Sequence, residues 1–146
     1  MLATSNISTV AHVIQLAVAP VFLLTGVGAI LGVLINRLGR VVDRFRVLER
    51  SLPDAAEHAR IVQATEMDIL AQRARMIHWA ISLCTICALL ICVVIGALFV
   101  GSVSANDLSV AIATLFIGAM LALIGALLCF LREIALATGS IHVVPH

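Results

Sequence analysis

The sequence predicts an all-α integral membrane protein. It should have three transmembrane helices, with a cytoplasmic antiparallel helical hairpin continuous with helices one and two. Three observations carry this. The 146 residues are 62% hydrophobic, only 12% charged, and have a mean hydropathy of +1.18. Soluble domains are roughly 45–50% apolar and about 25% charged, so these charges could not cover a soluble surface. Apolar runs at about 8–35, 77–102 and 108–131 each reach the roughly 20 residues needed to span a bilayer. Eight of the nine Lys+Arg residues fall between Arg37 and Arg75, in the segment that separates the first two runs. The length suits a single membrane domain over residues 1–146.

The first run is uncharged from Leu2 to Ile35. It is too long for a signal-peptide core and has no basic residue ahead of it, so a retained helix is expected. Pro20 removes one backbone hydrogen bond and should kink this helix. Gly28 and Gly32 have the small-xxx-small spacing that lets helix backbones approach closely. That contact could be with the chain's own helices or with another subunit. His12 and Gln15 are the polar residues near the outer end. They suit the headgroup region, or alternatively a water-filled path.

Residues 36–76 form the predicted hairpin. Asn36 to Arg50 carries five arginines against Asp43 and Glu49. Leu38, Val41, Phe45, Leu48 and Leu52 step by three and four, as an apolar helical stripe does. Leu52-Pro53 breaks the helix, and Asp54 and Glu57 suit the start of a new one. Met67, Leu70, Ala74, Ile77 and Ile81 form a second stripe. At about 1.5 Å per residue the first arm projects roughly 20 Å beyond the bilayer. Folding about Leu52-Pro53 sets Arg37 near Asp68, Arg40 near Glu66, Leu38 near Met67 and Phe45 near Ile61. Charge pairing between the arms is therefore one account of Arg37, Arg40 and Arg44, which share a helix face.

The second run opens with His78 and Trp79, where an interfacial anchor belongs. Cys84 and Cys87 form a CxxC inside an apolar helix with no charge nearby, which favours small packing residues over redox or metal chemistry. Ser104 and Asp107 resemble a capping box in the short outside turn. Gly118, Ala122, Gly125 and Ala126 give the third helix a small-residue face, and Gly139 suits its end. The basic segment implies a topology of N-terminus outside, hairpin inside, C-terminus cytoplasmic.

The spans carry no Asp, Glu, Lys or Arg, unlike proton-coupled transporters. Nucleotide-binding glycine loops, HExxH and GxSxG are lacking, so neither an enzyme nor a cofactor is expected. The arginines lack the interleaved aromatics of a nucleic-acid surface. The bilayer, and its anionic lipids at the arginine-rich strip, are the expected partners.

The segment NRLGRVVDRFRVLE, with Ile14 to Leu24 before it, resembles a family of small bacterial membrane proteins catalogued as domain of unknown function 2721. That resemblance covers most of the chain. It implies a bacterial inner-membrane location and three membrane helices, and brings no activity with it. Two functional readings stay open. In one, a homo-oligomer forms an ion path lined by helix one, with His12, Gln15, Asn36, Arg37, Arg40 and Arg44 along it. In the other, a non-conducting accessory or scaffold subunit docks a protein partner on its hairpin.

Overall fold

A computed structural model of the chain describes residues 2–51, 57–103 and 108–139. All three described segments are helical: α1 spans Leu2–Ser51, α2 Glu57–Val103 and α3 Ser109–Gly139. Each is long and apolar enough to cross a membrane. α1 runs without a break from the first apolar run through Arg37, Arg40 and Arg44 to Ser51, and α2 likewise joins the second arm to the second run. Pro20 lies within the continuous α1 helix and is buried. The expected break at Leu52-Pro53, Asp54, and the Ser104–Asp107 capping box lie outside the described residues.

The chain divides into two compact units, Met1–Leu31 with Leu83–Ile124, and Gly32–Ser82 with Gly125–His146. In the first unit, α1 buries Val13, Ala17, Pro20 and Val27, α2 buries Cys84, Cys87, Ile91 and Val94, and α3 buries Ala119. In the second, the buried residues are Leu34, Val41 and Leu48 of α1, Leu70, Ile77 and Ala80 of α2, and Ala126 and Glu133 of α3.

All of these positions except Ala17 follow one rule. On α1, residues 13, 20, 27, 34, 41 and 48 are seven apart. On α2, residues 70, 77, 84 and 91 make one such row, and 80, 87 and 94 a second row three residues on. On α3 the row is 119, 126 and 133. A strict seven-residue step keeps one seam of a helix turned toward its neighbours. Cys84 and Cys87 are seam residues, both with free thiols, and pack as small apolar side chains. Both expected hairpin stripes are present in their described members, Leu52 lying outside the described residues. Leu38, Phe45, Met67, Ala74 and Ile81 are half-buried beside the fully buried seam residues.

The small residues divide between two uses. A Cβ on Gly118 would stand 3.7 Å from the Leu90 side chain, in ordinary contact, so this glycine faces α2. Gly125 and Ala122 are half-buried. By contrast, Gly26, Gly28 and Gly32 of α1 are exposed, and a Cβ on any of them would meet nothing within 4 Å. Gly118 of α3 thus faces another helix of the chain, whereas among the described residues nothing faces these three glycines of α1.

Candidate functional site: an arginine-lined cleft

The second unit gathers three charges from three helices. Seven residues beyond Ala126, the α3 seam position is occupied by Glu133, and its side chain is fully buried. Removing a carboxylate from water costs several kcal/mol unless it is paired and hydrogen-bonded. Arg73 of α2 donates from both Nε (3.2 Å) and Nη2 (2.9 Å) to Glu133 Oε1. Arg37 of α1 places Nη2 2.8 Å from Oε2, as an ion pair without an aligned hydrogen bond. Its guanidinium also lies over the Phe130 ring, 5.4 Å from the centroid, where the ring face attracts a cation. One turn of α3 thus supplies both the carboxylate and the aromatic plate that hold Arg37.

Farther along the arms, Arg44 donates from Nε to Glu66 Oε1 at 2.9 Å, with Nη2 2.8 Å away. Gln63 Nε2 donates to Ser51 Oγ at 3.5 Å, and that hydroxyl donates to the Leu48 carbonyl at 2.9 Å. Between the arms opens a cleft of about 330 Å³, lined by Arg37, Arg40, Val41, Arg44, Leu70 and Arg73. Arg40 makes no ion pair among the described residues.

These partners correct the expected ones. Arg37 pairs with Glu133 rather than Asp68, and Glu66 with Arg44 rather than Arg40. Asp68 is exposed and makes no ion pair among the described residues. The physical reason is register. Arg44 and Glu66, and equally Arg37 and Arg73, are centred on position 55, whereas the expected pairs are centred near position 53. A shift of the second arm by about one helical turn re-pairs every charge. It also leaves Ile61 exposed instead of covered by Phe45.

The other expected site residues lie elsewhere. His12 and Gln15 are exposed in the first unit, and Asn36 is exposed and outside the cleft lining. In the second unit, Arg37 and Arg44 make ion pairs with the other helices, while Asn36 makes none among the described residues. Trp79 is exposed at the start of the second run. Among the described residues, no three His, Cys, Asp or Glu side chains are grouped to hold a metal ion. The residues that sequence reasoning did not single out are Glu133, Arg73 and Phe130. The seven-residue step that ends on Glu133 was the available signal.

The model of the family described as a protein of unknown function, DUF2721, matches residues 17–143. The chain belongs to the DUF2721 family. The match takes in α1 from Ala17, the whole arginine-lined cleft and Glu133, so in this DUF2721 protein the cleft is part of the family domain and not an appendage. Comparison with curated proteins and with solved structures gives no match.

Proposed function

We propose that the protein is a small homo-oligomeric protein of the bacterial inner membrane, with its N-terminus outside and its hairpin and C-terminus in the cytoplasm, and that its subunits enclose an ion path along helix one. The observation that carries this reading is the uncovered α1 face. Among the described residues a Cβ on Gly28 or Gly32 would meet nothing within 4 Å, and Gln15, Ala29 and Asn36 of the same helix are exposed. Small residues let helices approach closely in a membrane, and a second copy of α1 fits such a face. Three slim helices cannot enclose a pore alone, so subunits meet around an axis. Gln15 and Asn36 then stand at the two ends of the path, and Arg40 near its inner mouth favours anions. Ion flux from liposomes containing the purified protein tests this. Selective anion release is expected, and sealed liposomes with a correctly assembled protein overturn it.

A second reading has one observation in its favour. Ile61 and Val62 lie on the second arm, well before the second apolar run, and are 65% and 64% exposed. A non-conducting accessory subunit would use them to dock a protein partner on the hairpin. Absence of flux, together with a partner cross-linked at position 61 or 62, would select that reading.

A further inference from the structure

The cleft between the arms carries more positive charge than ion pairs among the described residues neutralise. Four arginines line it. Glu133 sets one negative charge against two guanidiniums, Glu66 answers Arg44, and Arg40 has no carboxylate within ion-pair distance among the described residues. The guanidiniums nearest the buried end are also held in place. Arg73 is fixed by two hydrogen bonds to a fully buried carboxylate, and Arg37 by the same carboxylate and the Phe130 ring. Planar guanidinium forks match the paired oxygens of a phosphate, and fixing them beforehand lowers the cost of binding.

We propose that this cleft is a binding site for a phosphate group, with Arg40 as its principal contact and Glu133 as the positioning residue that holds Arg37 and Arg73 ready. This goes beyond the assembly proposed above and does not depend on it. Arg37 stands two residues past the end of the first apolar run at Ile35, and Arg73 four residues before the second begins at Ile77. A lipid headgroup phosphate is available at that level, and a soluble phosphate compound offers the same chemistry.

The test uses the full-length protein in mild detergent, with two probes. Inorganic phosphate is titrated by calorimetry, and phosphatidic acid is compared with phosphatidylcholine by native mass spectrometry. Arg40→Gln removes an exposed guanidinium that makes no ion pair among the described residues, so the fold should survive. Arg46→Gln removes the same charge outside the cleft lining. Binding of at least one phosphate probe is expected, with Arg40→Gln weakening it about tenfold, the scale of a hydrogen bond to a charged group, and Arg46→Gln leaving it unchanged. Retention of phosphatidic acid alone identifies a headgroup site. Binding of inorganic phosphate as well identifies a site open to soluble compounds. Failure of both probes on the wild-type protein, no loss with Arg40→Gln, or an equal loss with Arg46→Gln overturns the proposal.

Discussion

Arg73 and Glu133, sixty residues apart in sequence, are joined by two hydrogen bonds to a single carboxylate oxygen. Removing one partner of a buried pair leaves a charge uncompensated and typically costs about 3–5 kcal/mol. Here the two arginine side chains keep 26% and 21% of their exposure, so the lower end applies. Glu133→Ala should destabilise the protein by about 3 kcal/mol, measured by denaturant titration in detergent. An Arg73→Ala/Glu133→Ala double-mutant cycle should give a coupling of about 1–3 kcal/mol. A coupling near zero would mean that the pair does not hold α3 to α2.

Arg44 and Glu66 make equally short contacts but are 55% and 39% exposed. Solvent screens such a pair, and its coupling should stay under about 1 kcal/mol and fade with added salt. A salt-independent coupling would contradict this ranking.

The register makes a rescue test decisive. Arg37→Glu places two carboxylates together and should destabilise the fold. Adding Asp68→Arg should not restore it, because Asp68 does not face position 37. Adding Glu133→Arg should recover part of the loss. Thermal unfolding of the three variants distinguishes the outcomes, and recovery by Asp68→Arg would restore the arm alignment centred on Leu52-Pro53.

Gly28→Leu and Gly32→Leu add side chains where a Cβ would meet nothing within 4 Å among the described residues. They should leave the unfolding temperature of the subunit little changed while weakening assembly, as read by light scattering. Gly118→Leu meets the Leu90 side chain and should instead destabilise the subunit by about 1–3 kcal/mol. A wild-type protein that is monomeric in mild detergent would count against α1 as a subunit contact.

Apolar runs and helical stripes are dense, repeated signals, which is why three helices and both arms of the hairpin were legible from residues such as Val41, Leu48, Leu70 and Ile77. The face shared by Arg37, Arg40 and Arg44 was legible for the same reason, and all three line one cleft. Their partners were not, because pairing depends on how the chain turns between Ser51 and Glu57, and a one-turn error exchanges every neighbour. Glu133 was the least visible. Beside Arg132, at the end of an apolar run, it resembles an ordinary solvated helix end. Only its seven-residue distance from Ala126 distinguishes it.

Glu133 also limits where the third helix can rest. Small seam residues such as Ala126 give α3 little side chain to lock it lengthwise against its neighbours. Sliding would carry the carboxylate away from Arg37 and Arg73 and leave all three charges stranded. The ion cluster is thus a detent: it gives three slippery helices one notch in which they stop.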